Sequence, residues 1–314
     1  MSTFAKTFES LRVANYRRFF SGQVVSWTGT WVAWVAQGWL VLQLTGSGFG
    51  LGVVTALQWL PVLLFGAWGG TVADRFDKRK VLIATNISSA TLSLILGLVT
   101  VLGVVELWMV IADALLMGFV MAIDNPTRQT FTYEMVGRER LQNAVSLNTA
   151  TFTTARVLGP AVAGFLIAGV GIGECFLVNA ASFIPITIAL SVMDKGALRP
   201  TERADAARGQ VREGLRYVLN EPVLRSVLII MAIVGTLQYN FQVILPVLAK
   251  DTFAGDATTL GSLGASVGIG MFVGSMLSAA YGQPSRDVLL RAGFLLGTMS
   301  LIAAAAPSVW VAAL

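Results

Sequence analysis

Apolar residues in this chain fall in long, nearly uncharged blocks separated by short polar stretches. The blocks show neither the two-residue period of a half-buried strand nor the narrow stripe of a soluble helix. A helix needs about 20 residues to cross a hydrocarbon core of about 30 Å. On that measure the sequence predicts nine complete spans. They are Phe19–Leu44, Phe49–Val72, Val81–Val105, Leu107–Ile123, Leu141–Ala168, Ile172–Met193, Val223–Ala249, Leu260–Tyr281 and Val288–Ala306. A further apolar stretch, Ser308–Leu314, runs to the end of the sequence, as expected of a chain that stops inside a tenth helix. The fold class this predicts is an all-α polytopic membrane protein.

Charge gives the orientation. Of 22 Lys and Arg, 20 lie in the N-terminal tail or in every second connection, and only Lys250 lies in the opposite loops. Short loops rich in Lys and Arg face the cytoplasm. The alternation therefore supports the span count and predicts a cytoplasmic N-terminus. The longest polar stretch divides the chain into 1–193 with six spans, a linker at 194–222, and 223–314 with three spans and the start of a fourth. Within the linker, Val211, Leu215, Val218 and Leu219 alternate with Arg212, Glu213 and Arg216 at helical spacing. Both a helix lying on the membrane surface and a solvated linker helix fit that pattern.

Composition narrows the function classes. Charged residues make up 12% of the chain, against about 25% in soluble domains, too few to cover a surface in water. The excess of basic residues is explained by cytoplasmic loops, so no nucleic-acid partner is expected. One cysteine, Cys175, allows no internal disulfide, and with no histidine there is no His/Cys site for zinc. The sequence contains no Gly-Lys, hence no phosphate-binding loop ending in Gly-Lys-Ser or Gly-Lys-Thr. No nucleophile has a base beside it, so an enzyme is not expected, nor a cofactor or metal. Met1–Arg18 is followed by an apolar run too long for a secretory signal.

Two motifs stand out. Gly70-Thr71-Val72-Ala73-Asp74-Arg75-Phe76-Asp77-Lys78-Arg79-Lys80 connects the second and third spans. Gly70 would allow a neighbouring helix to approach, Asp74 would pair with basic groups or a helix N-terminus, and Arg75 would bridge two helix ends. Arg156-Val157-Leu158-Gly159-Pro160-Ala161-Val162-Ala163-Gly164 lies inside the fifth span. There Pro160 removes a backbone hydrogen bond and permits a kink, while Gly159 and Gly164 leave room for another backbone. Gly66 and Gly70, Gly264 and Gly268, and Gly270 and Gly274 are also spaced for tight helix crossings. Two charges fall at matching depth: Arg156 and Asp113 lie about 22 and 21 Å from the cytoplasmic ends of their spans. They are expected to pair, either permanently or in one conformational state.

In position, spacing and charge order, Gly70–Lys80 resembles the connection that marks the major facilitator superfamily, with Asp77 where that family usually has a glycine. The Gly159-Pro160 segment resembles the motif of the superfamily's antiporters and exporters. Asn125–Gln129, Arg138–Ala144 and Glu213–Val218 with Glu221-Pro222 resemble the subgroup containing enterobactin exporters and macrolide efflux proteins. This resemblance implies a fold of two parallel six-helix halves, the second truncated here. Gly70, Asp74, Arg75, Lys78, Arg79 and Lys80 would then form a gate. It also implies a central cavity with Trp34, Gln37, Asp113, Gln238, Asn240 and Gln242 as candidate contacts, alongside Trp27, Trp31 and Trp39. The implied activity is monomeric, gradient-driven export of a small amphipathic molecule, a drug or siderophore, by alternating access. Its coupling ion would be a proton and its partners the substrate and the bilayer. The alternatives are a transport-inactive or truncated homologue acting as sensor or scaffold, and an importer of a small metabolite.

Overall fold

The computed structural model describes residues 8–199, 241–280 and 286–309, together with position 311 and parts of 216–229. A 3-10 turn, Glu9–Arg12, leads into α1 (Ala14–Thr45), α2 (Gly48–Arg75), α3 (Lys78–Val101), α4 (Leu107–Val136), α5 (Leu141–Gly169) and α6 (Ile172–Ser191). Later in the chain come α7 (Phe241–Val247), which runs into a π-turn at Leu248–Thr252, then α8 (Ala257–Ala280) and α9 (Arg286–Ala304). Six predicted spans thus become α1–α6, and the eighth and ninth become α8 and α9. Most of the predicted seventh span, with Gln238 and Asn240, lies outside the described residues, as do the Gln242 side chain and most of the linker helix at 211–219.

Local chemistry sets several helix ends. Gly46 takes a left-handed conformation at the C-terminus of α1, with φ of 61°. The Ser47 hydroxyl accepts from Gly50 N–H at the start of α2, and the Asp77 carboxylate accepts from Lys80 N–H at the start of α3. One predicted end is wrong by more than two turns. The fourth span was expected to stop at Ile123, leaving Arg128 in a loop, but α4 continues to Val136. Asp124 and Arg128 neutralise each other one turn apart, so the helix carries its charges past the apolar block without breaking.

Five helices, α2–α6, are long and apolar enough to cross a membrane among the described residues. The longest helix, α1, is less apolar because it runs through the middle of the bundle, between α5 and α6, with α4 and α2 alongside. Gln23, Ser26 and Gln37 are buried there against protein rather than lipid. A polar side chain is tolerated at membrane depth in such a setting. The remaining seams join α2 to α4, α3 to α4 and α6, and α5 to α8.

Small residues decide how close these seams are. The close approach expected at Gly70 falls one residue earlier. A Cβ on Gly69 would collide with the carbonyl oxygen of Ala122, whereas Gly70 and Gly66 have nothing within 4 Å. On the same seam Gly118 lies against the carbonyl oxygen of Gln58 and the Pro61 ring. Gly264 and Gly268 do pack as expected, against Pro160 and Val157, while Gly270 and Gly274 face open space.

Candidate functional site

The polar and charged residues gather in three places. The first is the end of the bundle that carries the N-terminus. Lys78 Nζ and Glu134 Oε1 form a buried ion pair at 2.8 Å, tying the start of α3 to the end of α4. Arg79 donates from Nε to the carbonyl of Leu190 and from Nη2 to that of Ser191 at 2.5 Å, carbonyls in the last turn of α6. A cation there meets the negative end of the helix dipole. The bridge between helix ends expected of Arg75 is therefore made by Arg79. Asp74, Arg75 and Lys80 are exposed, and Asp74 and Arg75 have no hydrogen bond or ion pair among the described residues. Deeper in, both oxygens of Asp124 are engaged. Arg128 donates to them at 2.8 and 3.1 Å, and the Thr85 hydroxyl donates to Oδ1 at 2.7 Å. The guanidinium also lies over the Phe19 ring, 5.7 Å from its centroid. The Tyr16 hydroxyl donates to the carbonyl of Ala144 and meets Asn148 Oδ1, both at 3.0 Å, joining α1 to α5.

The second place is a small cavity inside the six-helix bundle. Thr30, Trp34 and Gln37 of α1, Gln58 of α2, Ser93 of α3, Asp113 and Met117 of α4, and Phe176 and Asn179 of α6 line it. Gln37 Nε2 donates to Asp113 Oδ2 across 3.5 Å, and Asn179 Nδ2 donates to Ser93 Oγ at 2.7 Å. Asp113 Oδ1 is buried and has no hydrogen-bond partner. Three sequence candidates, Trp34, Gln37 and Asp113, thus come together, and Gln58, Ser93 and Asn179 join them. The sequence signal for Gln58 and Asn179 is an amide inside an apolar span, whereas Ser93 is one of several hydroxyl residues on its helix and carries no such signal.

The third place is the contact of α1, α2 and α5. Trp27, Trp31, Trp34, Trp59 and Phe152 form a chain of tilted and edge-on rings with centroids 4.9–6.0 Å apart. The Arg156 guanidinium lies 5.9 Å from the Trp31 centroid. Asp113 and Arg156 do not form an ion pair in this structure, so a permanent pair is not what holds either charge. Trp39 is buried in the core instead. Gly159-Pro160-Gly164 forms a seam: Gly159 packs on Trp31, Pro160 on Gly264, and Gly164 on Gly261. At the end of the bundle away from the N-terminus, Lys250 Nζ donates to the Leu42 carbonyl in the last turn of α1, at 2.6 Å. Beside it, Val247 packs on Gly48 at the start of α2.

No group of three or more His, Cys, Asp or Glu side chains that could hold a metal occurs among the described residues. The arrangement is a membrane-embedded helical bundle with a polar interior, an aromatic wall and charged ends. The chain belongs to the transmembrane secretion effector family of the major facilitator superfamily, whose sequence model matches residues 5–314. The staphyloferrin A transporter of Staphylococcus aureus is 26% identical over 262 residues, covering 82% of this chain and 65% of that protein. The multidrug efflux pump Tap of Mycolicibacterium fortuitum is 28% identical over 282 residues, covering 87% of this chain and 68% of the pump. Enterobactin exporters and macrolide efflux proteins are also among the relatives. The chain thus spans about two thirds of the length of these relatives, and 51% of another, an MFS-type transporter of Bacillus subtilis. The fold matches the crystal structure of a bacterial homolog of the human lysosomal transporter Spinster in an inward-facing, unoccupied conformation. That match has a TM-score of 0.71 and 16% identity, and covers 100% of this chain and 73% of the other. The relatives are transporters rather than enzymes, and the protein is a multi-pass membrane protein.

Proposed function

We propose that this protein is a secondary active transporter that exports a small amphipathic molecule of the drug or siderophore class. It works by alternating access and is driven by an ion gradient. In this reading residues 1–193 form one half and 223–314 belong to the second, joined by the linker at 194–222. The N-terminus is cytoplasmic, the membrane is the bacterial inner membrane, and the transporter acts as a monomer.

The observation that carries the reading is the aromatic wall of Trp27, Trp31, Trp34, Trp59 and Phe152, with Arg156 over Trp31. It stands on α1, α2 and α5, and these helices also hold the contacts to α7 and α8 through Leu42, Gly48 and Gly164. A bulky apolar solute stacks on such rings, and a cation beside them selects for a polar or anionic group. Two relatives are named for efflux of drugs and for transport of staphyloferrin A, which supports the same substrate range. The exposed Asp74 and Arg75 are suited to act as a gate that engages in another state, with Arg79 and Lys78 anchoring the start of α3.

The test is accumulation of dyes, macrolides and catecholate siderophores in cells lacking their own exporters, with the protein expressed from its full reading frame. Export predicts lower accumulation in cells carrying the wild type, abolished by a protonophore and by Asp74→Asn. Equal accumulation of every compound, with the protein confirmed in the membrane, would count against export and favour an importer or a transport-inactive sensor.

A further inference from the structure

The chain leaves α6 without leaving the bundle. Met193 is buried with Tyr16, Phe131 and Met135 in the core cluster at the end that carries the N-terminus. The first six residues of the predicted linker, 194–199, then cross that end, past the first turn of α1 to the last turn of α4. Four of their backbone N–H groups have acceptors. Those of Asp194, Gly196, Leu198 and Arg199 donate to Asn15 Oδ1, Asp194 Oδ1 and the carbonyls of Lys195 and Glu134, at 2.9–3.3 Å. A segment lying loose on the surface would leave such groups to water.

Each end of the segment is fastened by a different chemistry. At its start Asn15 Nδ2 also donates to the Asp194 carbonyl at 2.8 Å, so one buried side chain both gives and takes a bond. An amide carries both groups, which a carboxylate does not. At its end the Arg199 guanidinium lies over Gly137, which closes α4 with a φ of 73°, and a Cβ on Gly137 would collide with Nη1. A cation there meets the negative end of the α4 dipole. Between the two, Leu198 is seated against the same core cluster.

Glu134 joins this segment to the 70–80 connection. Its carbonyl accepts from Arg199, and its carboxylate holds Lys78, the first residue of α3. Tyr16, next to Asn15, ties α1 to α5. The segment therefore bears on the residues that pin α3 to α4 and α1 to α5.

We propose that residues 194–199 are a strap. The chain leading to the second half is anchored on the first at α1 and α4, and its motion reaches the 70–80 connection through Glu134 and Lys78. This rests on the transporter reading above, in which the two halves move and that connection is a gate. Arg199, rather than the end of α6, is then the point from which the second half pulls, with Asn15 and Leu198 as positioning residues.

The test is amide hydrogen exchange, read by mass spectrometry, on the purified protein in detergent. A docked strap predicts slow exchange over 194–199 in the wild type. Asn15→Ala removes two hydrogen bonds and should speed that exchange about tenfold or more. Leu198→Ala alters no residue of α1 or α4 and should speed it about threefold or more, which keeps the strap testable if Asn15→Ala folds poorly. In both variants exchange over 76–82 should rise about twofold or more, while 48–51 at the other end of α2 stays as in the wild type. Wild-type exchange over 194–199 as fast as in an unstructured peptide overturns the strap. Faster exchange there with 76–82 unchanged overturns the route to the gate. Accumulation assays on the same proteins keep the two readings apart. A docked and coupled strap in a protein that exports no compound upholds the strap and sinks the export reading. Export by a wild type whose 194–199 segment exchanges freely does the reverse.

Discussion

Asp113 and Asp124 lie on one helix, α4, three turns apart and so on nearly the same face, about 16 Å from each other along the axis. Asp124 receives a two-pronged bond from Arg128 and a third from Thr85. Asp113 receives one long bond and keeps a bare oxygen. A carboxylate whose lone pairs are taken by protein has nothing left to offer a passing ion. One that is left short stays uncompensated by the described side chains around it. The same residue type on the same helix face is therefore a structural clamp near the end of the bundle and an under-bonded carboxyl in its middle.

The sharpest way to break that comparison is to remove the clamp's partner. Arg128→Met leaves Asp124 buried with only Thr85, and breaking a buried pair on one side costs about 3–5 kcal/mol. A large drop in the thermal midpoint in detergent is expected, with much of it recovered in the Asp124→Asn, Arg128→Met double variant. Lys78→Met should behave alike, since Glu134 is as deeply buried. If Arg128→Met proved harmless, Asp124 would be no more clamped than Asp113.

Asp113→Asn is expected to behave in the opposite way. The amide is nearly isosteric and removes a charge that no ion pair among the described residues compensates. Stability should change by no more than about 1 kcal/mol, the scale of a single net hydrogen bond, and in the stabilising direction if anything. Gradient-driven export, by contrast, should be lost. The pair of measurements is a melting curve and an accumulation assay on the same variant. A collapse of the fold with Asp113→Asn would show that its bare oxygen is met by structure after all.

Much of this was legible before any coordinates, but not its rotation about the helix axes. Block lengths placed α1–α6 to within a few residues at most ends, and counting along the helices set Asp113 and Arg156 at matching depth. Depth is a linear quantity, and residue counting gives it directly. Azimuth is not, because each residue turns a helix by about 100°, and no count says which face meets which neighbour. That is why Gly70 was expected to pack and Gly69 does, why Arg75 was expected to bridge and Arg79 does, and why Asp113 faces Gln37 rather than Arg156. The end of α4 was missed for another reason. Hydropathy stops at Ile123, but a helix whose charges pair one turn apart does not need to stop with it. Gln58, Ser93 and Asn179 are not marked by the sequence because each is neutral, and Ser93 is one of several hydroxyl residues on its helix. Only their convergence in space shows what they share.

A cation at the opposite end of the bundle extends the comparison to a clamp made by one bond alone. Lys250, the one basic residue of the non-cytoplasmic loops in the charge pattern, caps the last turn of α1 through Leu42. A charge at a helix C-terminus contributes about 0.3–1 kcal/mol, so Lys250→Met should loosen the contact of α7 with α1 and α2 without unfolding the protein. A cysteine at Val247 in a Cys175→Ser background would report it, because Val247 is seated on Gly48. Its alkylation rate should rise about two- to fivefold in Lys250→Met, the factor corresponding to that energy. An unchanged rate would mean that apolar packing alone closes this end.

The smallest effect belongs to a third aspartate, the exposed counterpart of the other two. Asp256 precedes α8, and its Oδ1 accepts from the Thr258 hydroxyl at 2.6 Å and from the backbone N–H groups of Thr258 and Thr259 at 3.0 Å each. The Thr258 hydroxyl above all, then these amides, hold its carboxyl below the usual carboxylate range. A carboxyl whose pKa is lowered by folding adds stability that is complete above its unfolded pKa and lost as pH falls through the folded one. Its loss should therefore begin as pH falls into the range where ordinary carboxylates titrate and be complete only below the lowered pKa. Because the group stands in water, the loss should stay within about 0.5 kcal/mol. Comparing the acid limb of the melting profile of Asp256→Asn with that of the wild type reads this directly. Asparagine keeps the cap but cannot titrate, so its curve should be flatter in that window and the same elsewhere. Capping groups in water thus satisfy Asp256 at little gain, buried partners satisfy Asp124 at large gain, and Asp113 has neither in full among the described residues.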